Sequence, residues 1–524
     1  MANQLIYNVE DRPKFSKLLV FAIQQVLAVM AATIAVPAII GLPTQIPAAI
    51  LGAGVGTIVY LLFTKFKSPV VISSSFAFLD ALFVAVAFGY LGIIVGAIFA
   101  GLVYVVIAVV IHFAGTKWVS KLMPPVIIGP TVALIGLSLA GAAMGDITTA
   151  TGALVNHDYN LVALLCGLVT FITVVLCSCQ KKFKSMKLIP FIIGIGVGYA
   201  LASLFSAIGY GADVDYLKII NWQPLVSNFV VDGKFTGITA FLDYPRFSLI
   251  EGIREIAEDR VLLTGAGVGE IALAFIPIAL VVFAEHIADH KNLGSIINRD
   301  LVEGEPGLER TLLGDGVGSI AGTIFGICPN TTYGESVGCV AITKNASVAT
   351  IFTAAIMCIV LAFISPIMRL LQTIPNCVMG GVCLTLYGFI AVSGLKMFKE
   401  VDLNENKNLF TVSAILIAGI GGLAIKIPYH ATEGLVDKAI TITSIATALI
   451  LGICTYAITN ALEKREGREE DGEPESLIAG AVAPDATFEV GKSVVKEEAV
   501  EEPAAEDAQG DELFELDEEK PTEE

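Results

Sequence analysis

The segments VVFAEHIADH (Val281–His290) and CPNTTYGESVG (Cys328–Gly338) set acidic residues inside apolar stretches of membrane-crossing length. An ionisable group at membrane depth is costly to bury and by default marks a functional site. Glu285 and Glu335 are therefore the leading candidates for handling a substrate and a proton. Their surroundings also decide the fold class, because runs of this kind repeat along the chain and read as an all-α polytopic membrane protein.

Composition agrees. The 524 residues are 55% hydrophobic and only 16% charged, with a mean hydropathy of +0.77, well away from soluble averages. The formal charge of -18 is a property of one end: residues 463–524 carry 23 acidic and 6 basic residues, and the rest is nearly neutral. No basic surface for nucleic acid is evident. The acidic segment is too poor in apolar residues to offset ordering and is expected to be a disordered cytoplasmic tail. Nine cysteines lie in apolar stretches without C-x-x-C spacing and read as small buried hydrophobes. Cys177 and Cys179 lack a third metal ligand nearby. The first apolar run, Leu18–Ile40, is too long for a cleavable signal. The absence of a Walker A pattern leaves an ion gradient as the energy source, with no cofactor implied.

At ~20 apolar residues per helix, the chain divides into fourteen spans, near 15–37, 47–64, 70–84, 90–113, 122–142, 160–179, 187–208, 267–288, 311–328, 332–344, 346–370, 376–396, 408–426 and 437–461. The third and tenth are short. Under this count Lys65, Lys67, Lys117, Lys121, Lys181, Lys182, Lys184, Lys187, Lys291, Arg299, Lys396, Lys399, Lys407, Lys464, Arg465 and Arg468 share one side, whereas 143–159 carries no Lys or Arg. The positive-inside rule makes the first side cytoplasmic and places both termini there. The expected organisation is a cytoplasmic N-terminus (1–14), a first seven-span repeat (15–208), an extracellular loop (209–266), a second seven-span repeat (267–462) and the tail (463–524). MPPVIIG (Met123–Gly129) pairs with IPNCVMG (Ile374–Gly380), and SSFA (Ser74–Ala77) with TTYG (Thr331–Gly334), at an offset of about 255. Seven intervening spans invert the second copy, as in secondary transporters built from inverted repeats.

The chemistry collects on the short spans. Ser73, Ser74, Ser75 and Phe76 stand on one, and Asn330, Thr331, Thr332, Tyr333, Gly334 and Glu335 on the other. Polar, broken segments at membrane depth are tolerated where they line a cavity or are buried in protein. Phe76 and Tyr333 offer faces for a flat heterocycle, although each read singly is a packing residue. Glu285 and Asp289, spaced i, i+4, share a helical face, and a carboxyl in such surroundings can couple proton uptake to binding. The alternative is a structural acid paired with a buried amide. The run from His286 to His290 has the form H-x-x-D-H, near a zinc-protease pattern, but His112, His157 and His430 lie near other span ends and supply no third ligand.

With SSFAF, AEH, PNTTYGE and VMGGV in combination, the chain resembles the nucleobase-ascorbate transporter family, also called nucleobase:cation symporter family 2, over about residues 8–460. The resemblance implies a core domain (spans 1–4 and 8–11) and a gate domain (spans 5–7 and 12–14), with uracil as substrate. It implies substrate binding by Phe76, Glu285, Gly334 and Glu335; the residues themselves add Tyr333 to these, assign proton coupling to Glu285, Asp289 and His286, and give Gln24, Gln25 and Ser336 supporting places. The family signature reads here from Glu335 through Gly338 to Thr343 and Lys344. Gln25 stands where the family commonly has His, Ser336 where Asn is usual, and Asp289 where members differ between His and Asp. The expectation is a proton-coupled uracil importer in the cell membrane, working by alternating access and not an enzyme, with a homodimer left open. A xanthine, purine or anion carrier on the same fold is the alternative. A receptor or scaffold signalling through the tail is a further one, and a transporter, unlike that receptor, would keep its uptake without residues 466–524.

Overall fold

The computed structural model describes residues 5–149, 159–180, 186, 190–231, 233–259, 263–430 and 437–470. The chain divides into residues 1–466, which hold the helical body, and residues 467–524, of which only 467–470 are described.

The apolar runs fold as helices because a backbone surrounded by lipid must satisfy its own N–H and C=O groups. In chain order they are α1 (Phe15–Ile39), α2 (Ile46–Phe63), α3 (Leu79–Val86), α4 (Gly89–Ala114), α5 (Lys117–Leu122), α6 (Pro125–Ser138), α7 (Ala140–Thr148), α8 (Leu161–Cys179) and α9 (Pro190–Ala212). There follow α10 (Gln223–Phe229), α11 (Ser248–Ala257), α12 (Gly265–Ile297), α13 (Leu308–Phe325), α14 (Gly334–Thr343), α15 (Val348–Ala362), α16 (Ser365–Gln372), α17 (Asn376–Lys396), α18 (Asn406–Ile420) and α19 (Ser444–Glu470). Among the described residues, nine helices are long and apolar enough to cross a membrane. Shorter apolar helices cover Phe76–Val86, Val348–Ala362 and Asn406–Ile420.

Three two-stranded ribbons interrupt the helices, which an all-α reading omits: β1 (Ile72–Ser74) with β4 (Asn330–Thr332), β2 (Val230–Val231) with β3 (Lys234–Phe235), and β5 (Ile425–His430) with β6 (Asp437–Ile442). The first is the structural centre. Its strands are rich in β-branched and hydroxyl residues and preceded by Pro329 or Val71, so they extend rather than coil. They pair antiparallel, Ile72 with Thr332, Ser73 with Thr331 and Ser74 with Asn330. Their outer edges are satisfied by side chains. Thr57 Oγ1 lies 3.1 Å from Ile72 N, Ser336 Oγ accepts from Val71 N at 3.0 Å, and Ser319 Oγ accepts from Asn330 N at 3.0 Å. Those bonds remove the cost of unpaired backbone in a dry interior.

Two groups of helices pack around this ribbon. In one, α13 lies between α2 and α4, α15 sits on α1 and α2, and α12 on α4; in the other, α17 packs on α6, α7 and α8, with α9 on α8 and α18 on α6. Glycines permit the closest approaches, as is usual between helices in lipid. A Cβ on Gly318 of α13 would stand 2.9 Å from Gly56 O of α2, and one on Gly316 2.9 Å from Gly101 O of α4.

Two expected boundaries move. Residues 209–266 are not a plain loop: they contain α10, the β2–β3 ribbon and α11, and α12 begins already at Gly265. Residues 463–470 are helical, since α19 continues through a run of Glu, Lys and Arg that favours helix, so the tail as read began too early. Residues 471–524 lie outside the described residues.

Candidate functional site

A cavity of about 440 Å³ opens between the two helix groups. The β1–β4 ribbon positions its floor. Past β1, Ser75 accepts from Ala77 N at 3.3 Å and starts a short 3-10 turn, Phe76–Phe78, that runs into α3. Past β4, Tyr333 precedes α14 without a side-chain cap, so the first N–H groups of α14 have no capping oxygen from it. Helix N-termini carry partial positive charge and bind acceptor atoms. Tyr333 is itself fixed, its hydroxyl donating to Ser74 O at 2.9 Å, and it lines the cavity together with Phe76, Gly334 and Glu335.

The long helix α12 supplies the adjoining wall. Glu285, Ala288, Asp289 and Asn292 follow one another at i, i+3, i+4 and i+7, all on the cavity face. Asp289 Oδ2 accepts from Thr332 Oγ1 at 3.1 Å, and an ideal Cβ on Gly334 would stand 3.6 Å from Asp289 Oδ1. Glu285 differs: its Oε2 is buried and has no hydrogen-bond partner among the described residues. A buried acceptor without a partner costs free energy, so this oxygen is placed to take a ligand's polar hydrogen. The opposite wall is apolar, made by Val132, Ile135, Phe191, Phe389 and Ile390. Tyr387 meets the edge of Phe76, ring centroids 5.0 Å apart at 89°. A cavity with aromatic and aliphatic walls and a few convergent polar groups suits a small, flat, polar ligand.

Of the residues expected at the site, Phe76, Glu285, Asp289, Tyr333, Gly334 and Glu335 come together. His286 does not line the cavity. One residue on from Glu285 is a turn of about 100° around the helix, and His286 points into the body, its Nδ1 2.7 Å from Asp315 Oδ2 and its Nε2 3.0 Å from Thr311 Oγ1. Gln25 and Ser336 stand behind the floor: Ser336 Oγ donates to Gln25 Oε1 at 2.9 Å. Gln24 Oε1 is buried without a partner and outside the cavity wall.

Asp315 was not anticipated. Fully buried in α13, it accepts from His286 and, at 3.4 Å, from Thr331 Oγ1 on the ribbon. An acid within the glycine-rich, apolar LLGDGVGSIAG stretch was the signal available for it. Among the described residues no three His, Cys, Asp or Glu side chains are grouped to hold a metal ion. The His286 and His290 rings stack 4.1 Å apart but bond to different partners, His290 Nδ1 donating to His286 O at 2.8 Å with Nε2 2.8 Å from the Tyr60 hydroxyl. Cys177 is buried and Cys179 exposed.

Residues 16–427 match the family described as the Permease family. A uracil permease of Bacillus caldolyticus is 35% identical over 454 residues, covering 86% of this chain and 94% of that protein. Uracil permeases of Bacillus subtilis (strain 168) and Escherichia coli (strain K12) are 34% and 33% identical, each aligned over 93% of its own length and over 85% and 84% of this chain. Among solved structures, the transmembrane domain of the cyanobacterium bicarbonate transporter BicA is similar with a TM-score of 0.51 at 15% identity, covering 86% of this chain and 99% of that one. The murine Solute Carrier 26 family member A9 anion transporter in its inward-facing state gives 0.53 at 12% identity, covering 87% and 69%. At those identities the likeness is one of fold.

Proposed function

Because this chain belongs to the Permease family of nucleobase-ascorbate transporters, and so is a multi-pass membrane transporter rather than an enzyme, we propose that it imports uracil by proton symport. The observation that carries the reading is the buried Glu285 Oε2, without a partner among the described residues, at the wall of a cavity that Phe76 and Tyr333 also line. In this reading uracil lies against Phe76 and Tyr333. Protonated Glu285 donates to one ring carbonyl and accepts from a ring N–H, Glu335 accepts from the other N–H, and the first N–H groups of α14 meet the second carbonyl. Loss of the proton from Glu285 removes one of those bonds and favours release. Asp289, held by Thr332, completes the acidic wall, His286 braces the ribbon beneath it through Asp315 and Thr331, and Gln25 with Ser336 buttresses α14 from behind, with Gln24 beside them.

The fold reading that accompanies this is fourteen spans in two inverted repeats, with the helix group containing α12–α15 as core and the group containing α17 as gate. Its support is the antiparallel pairing of the two broken elements and the matching Pro-led starts of α6 and α17. Alternating access then moves the core against the gate. Ser178 and Lys396 lie on the cavity wall, at span ends that the charge distribution assigns to the cytoplasm in the cell membrane, so this conformation faces inward. The test is uptake of labelled uracil into proteoliposomes under an imposed pH gradient, with and without a protonophore. Accumulation that ignores the gradient would remove proton coupling. Competition by xanthine, hypoxanthine and sulfate separates the other substrates, sulfate included because the similar folds belong to anion transporters.

A further inference from the structure

Helix α11, SLIEGIREIA, is amphipathic, but its orientation is the reverse of what water imposes. The face turned to the protein is polar or minimal: Ser248, Glu251, Gly252 and Glu255, at i, i+3, i+4 and i+7. Ser248 donates to Gly326 O just past the end of α13, Gly252 has no room for a Cβ beside Leu91, and Glu255 Oε2 accepts from Tyr90 N, in the first turn of α4, at 2.9 Å. The apolar residues point away. Leu249, Ile250, Ile253 and Ile256 are 40%, 52%, 58% and 49% exposed and form one continuous stripe.

In water an amphipathic helix buries its apolar stripe, and an exposed stripe of this length marks a membrane or protein contact. Two further features choose lipid. The polar face is already committed to capping α4 and closing over the end of α13, so α11 is fixed crosswise over the ends of two neighbouring spans. Those ends mark the level at which a spanning helix leaves the hydrocarbon, so α11 lies at the depth of the interface with its apolar side uncovered. We propose that α11 is an in-plane interfacial helix, with Leu249, Ile250, Ile253 and Ile256 inserted into the acyl region of the lipid, so that the segment joining α9 to α12 is partly a membrane element rather than a solvated loop. Such helices sit about 5–10 Å into the head-group and acyl boundary. The polar partners on α4 and α13 also make α11 part of the helix group that carries Glu285, so the lipid contact belongs to the body that binds substrate.

The test places a single tryptophan on the stripe. In the full-length protein with Trp118→Phe and Trp222→Phe, Ile253→Trp is reconstituted into phosphatidylcholine vesicles, with or without lipid brominated high on the acyl chain. The expected result is loss of most of the tryptophan emission in brominated lipid, a blue-shifted maximum, and no quenching by iodide added outside or inside. Quenching by iodide shows a solvated stripe and overturns the proposal. Protection from both quenchers shows a protein cover, such as a second copy of the chain, and also overturns it. Should Ile253→Trp not assemble, Ile250→Trp reads the same stripe one turn away. Absence of uracil uptake by the unsubstituted protein, with intact lipid quenching in the variant, would count against the transport reading alone.

Discussion

Glu285→Gln tests the site most directly, because the two side chains have the same shape and differ in charge, protons and one acceptor. Glu285 Oε2 is buried with no partner among the described residues, so the amide disturbs no hydrogen bond seen at that atom. The substitution therefore acts on the ligand. In the proposed reading Glu285 binds uracil protonated, and the amide keeps both a donor for the ring carbonyl and an acceptor for the ring N–H, so the change is at most one ordinary hydrogen bond, about 0.5–1.5 kcal/mol, at about 1.4 kcal/mol per tenfold in affinity. Uracil binding at acid pH should weaken by no more than about 2- to 12-fold, with the melting temperature of the unliganded protein unchanged or slightly raised. The assay is equilibrium binding of labelled uracil to the purified protein at several pH values. Binding by the variant should lose the part of its pH dependence that Glu285 supplies, keeping that of Glu335 and Asp289, since the amide has no proton to exchange. An unaltered pH profile, or a loss at acid pH beyond about a hundredfold, refutes the assignment of Glu285 as the ligand's proton-exchanging acid.

Phe76→Ala removes one face of the cavity, and since aromatic contacts add about 0.5–1.5 kcal/mol beyond burial, uracil should bind about 2- to 12-fold more weakly, read by the same assay. Gly318→Ala would press a methyl group on Gly56 O and Ile72, each within 2.9 Å of it, and overpacking of this kind costs about 1–3 kcal/mol, so thermal unfolding in detergent should begin several degrees earlier. Glu10 takes two bonds from the Arg299 guanidinium, at 2.6 and 2.7 Å, which hold its carboxyl below the usual glutamate range. A lowered folded value gives stability that is present above the unfolded value near 4.3 and fades as the pH falls through the folded one. The pair is well exposed, so Glu10→Gln should cost only a few tenths of a kcal/mol at neutral pH, and the difference in melting temperature should vanish in acid.

Much of this was legible because lipid simplifies the code. Long apolar runs have one solution, the helix, and the two polar interruptions at Ser73–Phe76 and Asn330–Glu335 could only be buried or lining a cavity. The i, i+4 spacing of Glu285 and Asp289 put both on one wall, as observed. The same geometry, applied one residue further, turns His286 away from the cavity and toward Asp315 and Thr311. The gate side, Val132, Ile135, Phe191 and Phe389, was illegible for a physical reason: an apolar residue suits lipid, a helix contact and a cavity wall alike. Asp315 had a signal that went unread. The amphipathic pattern in α11 was present in the sequence, but which of its faces meets the protein depends on Tyr90, Leu91 and Gly326, far away in the chain.

The ribbon between residues 72–74 and 330–332 has a consequence for anyone wishing to retune this protein. Its two strands come from opposite halves of the polypeptide, yet each rung fixes where an aromatic ring on one half stands relative to an acid on the other. Grafts of ligand preference from a relative should therefore travel as matched pairs. A chimera that imports one strand alone inherits a mismatched rung, and with it a misaligned ring, even when every residue named as touching the cargo has been copied faithfully.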